Sequence, residues 1–186
     1  MAKKDWIKKT LKLKDDHTWT ARPGFKIFVA DRGAVRFDFP EDWVVIPTDD
    51  AIGFHDKKPP DDDCTLKLSV LRLPPEVDWS GLPLSRLVRE IVDHDTRNVI
   101  DRQELVEVKR GDLEICWAEV RFIDPNECRV AHSRSCLARA RNIQPLITFD
   151  YWADDAERCE PAWDEVLRSL QVGVMIKDPT RGGPGR

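Results

Sequence analysis

From Phe25 onward, apolar and polar residues alternate in short runs broken by turn formers, which is the pattern of half-buried strands. Lys26–Ala30 is short and β-rich. Asp31-Arg32-Gly33 makes a turn, and Ala34–Phe39 then places Val35, Phe37 and Phe39 on one face with Arg36 and Asp38 on the other. Pro40-Glu41-Asp42 ends that run, and Trp43–Ile46 and Ala51–His55 read as two further strands. Residues 57–63, with two prolines and three aspartates, read as an exposed loop. The triplet Asp61-Asp62-Asp63 lacks the spaced oxygens and the glycine of a calcium loop, so it reads as a solvated turn. Cys64–Leu73 is the next strand, with Cys64, Leu66, Leu68 and Val70 on one face.

The period then changes. Pro83 suits the first turn of a helix, and Leu84, Leu87, Val88 and Ile91 follow at the spacing of one buried stripe. This helix is expected to end near His94–Arg97. Three strands follow at roughly 103–109, 113–123 and 128–140, joined by Arg110-Gly111-Asp112 and by Asp124-Pro125-Asn126-Glu127. Arg141-Asn142 leads into a last long strand, 143–152. Pro161 is expected to open a final helix, on which Trp163, Val166, Leu167 and Leu170 form a stripe. Residues 172–176 read as a short extension of it. The outer segments differ: residues 1–24 read as an N-terminal arm, with Trp6, Ile7 and Leu11 on one side of a short helix, and 177–186 as a disordered tail. One domain, 25–176, lies between them. The order strands, helix, strands, helix predicts an α+β fold: an antiparallel sheet of about six to eight strands, a meander interrupted by one helix, covered by helices.

Phe37-Asp38-Phe39-Pro40 with Trp43 just after, the interrupted meander, and a closing helix ending Val166-Leu167-Arg168-Ser169-Leu170 resemble the PsbP/Mog-type α/β/α sandwich over roughly residues 25–173. The chain looks like a bacterial member of that group. Its members share a fold more than an activity: they include photosystem II extrinsic proteins, a Ran-binding nuclear import factor and bacterial chaperones of secreted effectors. The resemblance implies a binding protein with an unidentified protein partner, and it carries over no catalytic residue.

Composition narrows the classes. Charged residues are 34% of 186, but the net charge is only −4, so no basic field recruits nucleic acid. No apolar run reaches the length of a membrane span, and no signal-peptide core follows the basic start. Five cysteines without a CxxC pair are expected as free thiols in the cytoplasm.

The chain contains no P-loop, GxGxxG, GxSxG or HExxH, and no cofactor is implied. Cys128, His132 and Cys136 recur every four residues, but on a strand they span about 26 Å, too far for one ion, so no metal site is assigned. Two-residue loops at Pro125-Asn126 and Arg141-Asn142 would set Glu119, His132 and Tyr151 in one cross-strand row. Trp117, Arg134 and Phe149 would form the next row, and Ile115, Cys136 and Ile147 the third. A three-residue first loop would instead set Arg121 opposite Arg129, like charge against like. The first row suits acid–base work by a small enzyme, with Glu119 orienting the imidazole and Tyr151 donating a proton. The plainer reading is structural, since buried polar groups need partners and Arg134 between two rings is explained by cation–π packing. Seven tryptophans exceed what the core needs. Trp43, Trp117 and Trp163 have core roles, whereas Trp6, Trp19, Trp79 and Trp152 lie at element ends or in loops. With Trp117, Arg134 and Phe149, Trp79 and Trp152 are the candidate partner contacts.

Overall fold

The computed structural model describes residues 6–183. The expected strands form where period-two alternation is cleanest: β1 (Phe25–Ala30), β2 (Val35–Pro40), β3 (Val44–Pro47), β4 (Ile52–His55) and β5 (Cys64–Arg72). After α1 (Leu84–Asp93) come β6 (Asn98–Arg102), β7 (Val106–Arg110), β8 (Leu113–Ile123), β9 (Val130–Arg139) and β10 (Ile143–Trp152), then α2 (Ala156–Ser169) and β11 (Gln171–Val172). The strand expected at 103–109 is replaced by two shorter ones, β6 and β7, with Gln103–Leu105 between them. The fold is α+β and its strand pairs are antiparallel. Eight strands form one sheet in the order β3-β4-β5-β10-β9-β8-β6, with β7 also on β8; β1, β2 and β11 form a small second sheet.

The large sheet has two different faces. On one, Ile115, Cys136, Ile147 and Phe149 join Trp163 and Val166 of α2 and Phe37 of the small sheet in the main core. Trp163 stacks on Phe149 with centroids 5.5 Å apart and meets Trp117 edge-on at 5.6 Å. On the other, Leu84, Val88 and Val92 of α1 pack on Cys116, Ala118, Val120 and Leu137. The stripe of α1 is therefore rotated from the expected one: Val92 is buried and Ile91 is 39% exposed.

Helix α2 begins five residues before Pro161, which sits inside it and forgoes the bond its N–H would give to Glu157. The arm is not helical over residues 6–14. Trp6 packs on the main core, and the arm runs beside the residues after β11. Lys14 N–H donates to Thr180 O at 3.0 Å, Trp19 Nε1 to Pro179 O at 2.7 Å, and the Lys14 ammonium meets Asp178 at 2.9 Å. Residues 1–5 of the expected arm and 184–186 of the expected tail lie outside the described residues.

The hairpin from β9 to β10 has the expected two-residue loop: Ala140 and Ile143 exchange both main-chain bonds around Arg141-Asn142, and Tyr151 pairs with His132. The hairpin from β8 to β9 does not. Glu119 pairs with Arg134, and Arg121 with His132. The Asp124 carboxylate accepts from the N–H groups of Asn126 and Glu127, both at 2.9 Å, and Cys128 N–H bonds Asp124 O at 2.9 Å with φ +52° at Cys128. These bonds close a longer loop and slip the register by two residues. A two-residue slip preserves the face of every side chain.

Candidate functional site

The slipped register turns the expected row into a diagonal cluster. Glu119 stands at the rim of the main core and is about 2% exposed. Its Oε1 accepts from His132 Nδ1 at 2.8 Å and from Gln103 Nε2 at 2.9 Å. Its Oε2 accepts from Arg134 Nε at 2.6 Å and from the Tyr151 hydroxyl at 3.0 Å. A second Arg134 nitrogen donates to Glu160 of α2 at 2.7 Å, and Tyr151 lies 3.3 Å from the same carboxylate oxygen. The His132 ring stacks on Tyr151 with centroids 5.0 Å apart.

Glu119, His132 and Tyr151 thus come together as expected, although Glu119 reaches His132 diagonally. The second and third expected rows change on β8: Trp117 pairs with Cys136 and Ile115 with Ala138, while Arg134 still faces Phe149 across β9 and β10. Arg134 lies over Trp117, Tyr151 and Trp163 at 5.3–5.8 Å. Phe149 is fully buried and has no outward surface. Trp79 caps a different place, its carbonyl accepting from Arg139, and Trp152 is covered by the Arg129 guanidinium at 4.6 Å.

The electrostatics are those of a closed network. Burial raises the Glu119 carboxyl, but the bonds and charges of Arg134 and then His132 outweigh it and hold it below the ordinary carboxylate value. Burial pushes the Tyr151 hydroxyl far up, with Glu119 adding to it, so Tyr151 stays a neutral donor. Each carboxylate oxygen of Glu119 therefore holds two donors. Such a carboxylate orients its neighbours, but it has no lone pair left for a substrate proton.

Sequence reasoning missed Gln103 and Glu160. Gln103 was expected inside a strand, and Glu160 fell before the expected start of α2. Gln103 also lines a cavity of about 510 Å³ on the other side of the sheet edge, together with Arg89, Asp93, Arg102, Glu104 and Leu105. The cleft lies where the ladder on β8 breaks between β6 and β7, bridged there by the Gln103 N–H bond to Glu119 O at 2.9 Å. No group of three or more metal-ligating side chains gathers among the described residues, and no helix among them is long and apolar enough to cross a membrane.

The fold is shared with solved structures at low identity. PsbP (CyanoP) of Synechocystis sp. PCC 6803 matches with TM-score 0.57 and 14% identity over 82% of this chain and 94% of that one. LpqN of Mycobacterium tuberculosis, described as involved in cell envelope biogenesis, matches with TM-score 0.54 and 12% identity over 79% of this chain and 89% of that one. At such identities the likeness establishes the PsbP-like fold alone. A protein of Nostoc sp. (strain PCC 7120), described as the uncharacterized protein alr1449, is 50% identical over 95% of this chain and 92% of its own length. The Alr1449 family model matches residues 26–176, and with that span and that relative the chain belongs to the Alr1449 family.

Proposed function

We propose that this protein is a non-catalytic, cytoplasmic protein-binding domain, and that the Glu119 cluster serves its fold while the cleft beside α1 receives the partner. The saturation of Glu119 carries the reading, since all four of its acceptor positions are taken from within the chain. The cleft is different in kind. Arg89 and Arg102 share its lining with Asp93, Glu104 and Glu107, beside the apolar Val92, Leu105 and Ala118. That lining suits an extended peptide bearing both signs of charge. The expected single meander is two: α1 carries the chain from β5, which pairs with β10, to β6 at the far edge of the sheet, and α2 packs on the opposite face, so the cleft is the opening next to α1. The odd number of cysteines and the lack of a CxxC pair support a reducing compartment. The small net charge supports a protein partner over a nucleic acid.

The test compares three forms of the protein for what each retains from the native cell: wild type, Glu119→Gln and Arg89→Glu. The expected result is a partner held by wild type and by folded Glu119→Gln and lost by Arg89→Glu. Loss by Glu119→Gln at a concentration where it remains folded, with Arg89→Glu unaffected, would favour the enzyme reading and its Glu119, His132 and Tyr151 row.

A further inference from the structure

The two ends of the large sheet are managed differently. The β3 end carries the arm, where Lys8 Nζ donates to Val45 O at 3.3 Å. At the other end β7 pairs with β8 alone among the described residues, and all five of its residues are exposed. Arg110-Gly111-Asp112-Leu113 forms a two-residue turn with φ +61° at Gly111, so Arg110 and Leu113 are the closing hydrogen-bonded pair. The same parity runs along β8, since Glu119 O, six residues on, accepts from Gln103 N–H on this side at 2.9 Å. Val106, Val108 and Arg110 therefore spend their main-chain groups on β8. The N–H and C=O groups of Glu107 and Lys109 point outward.

An outward edge of this kind is a template for another strand, and its own sequence, Val-Glu-Val-Lys-Arg, is complementary to itself when reversed. We propose that two copies of the chain pair antiparallel through β7, about a two-fold axis normal to the sheet at Val108. Glu107 of each copy then faces Lys109 of the other, on the two residues whose main-chain groups are free to bond. Val108, 42% exposed in the single chain, meets its own counterpart at the axis. Lys109 already pairs with Glu114 across β8 at 3.2 Å, so the row alternates in sign through the interface: Glu114, Lys109, then Glu107 of the partner subunit. A slip of one residue would flip the faces, and it would lose both ion pairs. Because the axis is normal to the sheet, both α1 helices and both clefts lie on one side of the joined sheet. The inference goes beyond the binding reading and stands without it: Glu107 also lines the cleft, but the pairing rests on the main-chain edge and on Lys109, which does not line the cleft, and Arg89 takes no part in it.

A five-residue edge falls at the small end of specific interfaces, so the pairing is concentration-dependent. Sedimentation equilibrium of the full chain from micromolar to millimolar concentration reads it directly. Wild type is expected to show a monomer–dimer equilibrium. Glu107→Lys and Lys109→Glu, each folded by circular dichroism, are each expected to weaken it at least tenfold, since each puts like charges across the axis. An equimolar mixture of the two variants is expected to recover the dimer, because every cross-axis pair then again joins opposite charges. A wild type monomeric throughout, a dimer indifferent to both substitutions, or a mixture no tighter than its components would each overturn the proposal. Partner retention by Arg89→Glu is a separate readout, so failure of the dimer and failure of the cleft are distinguishable.

Discussion

The face of the eight-stranded sheet that meets α2 centres on stacked aromatic rings and the Glu119 network, whereas the face that meets α1 centres on an aliphatic cluster, with the buried Arg139–Gln144 pair beside it, and runs out into a cleft. On the α2 face, Trp117, Phe149, Tyr151 and Trp163 interlock with Glu119 and Arg134, and each charge has its partners at 2.6–3.0 Å. On the α1 face, Leu84, Val88 and Val92 cluster with Cys116, Ala118, Val120 and Leu137, and beside them Arg139 donates to Gln144 at 2.7 and 2.9 Å and to the carbonyls of Trp79 and Leu82 at 3.1 and 3.0 Å. Ring stacking and charged hydrogen bonds demand particular geometry, whereas aliphatic contact rewards burial with less regard to direction. The face centred on rings and ion pairs is closed, and the face centred on the aliphatic cluster keeps an opening.

The largest effect should fall where ring contacts are densest. Trp163→Ala removes the side chain stacked on Phe149 and edge-on to Trp117, and is expected to cost about 3–5 kcal/mol, read from the denaturant midpoint. A midpoint unchanged by the substitution would mean that α2 does not depend on this contact. Next comes Arg134→Met, which keeps the stem over the rings but leaves Glu119 and Glu160 without their cation. A loss of roughly 3 kcal/mol is expected, in the range for breaking a buried ion pair from one side. Equal or greater stability would show that the network adds nothing the rings do not supply. On the other face, Val88→Ala removes two buried carbons at about 0.8 kcal/mol each plus a cavity term, so about 1.5–2.5 kcal/mol is expected. A cost as large as that of Trp163→Ala would erase the contrast between the faces.

The parts of this architecture that were legible in the sequence are those set by period and by short turns. Alternation along 113–123 and 143–152 placed Glu119 and Tyr151 on one face, and the Arg141-Asn142 loop placed Tyr151 beside His132. The β8–β9 register was not legible, because it is decided by the Asp124 side chain bonding the next turn's N–H groups, a competition that period cannot report. The cluster survived that error because the slip was even. β6 escaped notice for another reason: Asn98–Arg102 is an edge strand with a bulge between Val99 and Asp101 and little burial, so its pattern never alternates. Gln103 joined the network because the strand breaks there, and a break has no signature in a run of polar residues. The arm failed as a helix because Trp6 has the main core to pack on without one.

The claim that Glu119 works for the fold and not for a reaction is tested most directly by denaturant unfolding of wild type and Glu119→Gln over a range of pH. The native carboxyl lies below its ordinary value of 4.5. Its contribution to stability is therefore present in full above that value and is lost as the pH falls through the lower native one. Glu119→Gln should unfold at a clearly lower midpoint near neutrality, by about 2–3 kcal/mol for bonds made to a charged group. That gap should close as the solution is taken below pH 4.5. A variant as stable as wild type at neutral pH, or more stable, is what a carboxylate strained for catalysis would give, and would contradict the account.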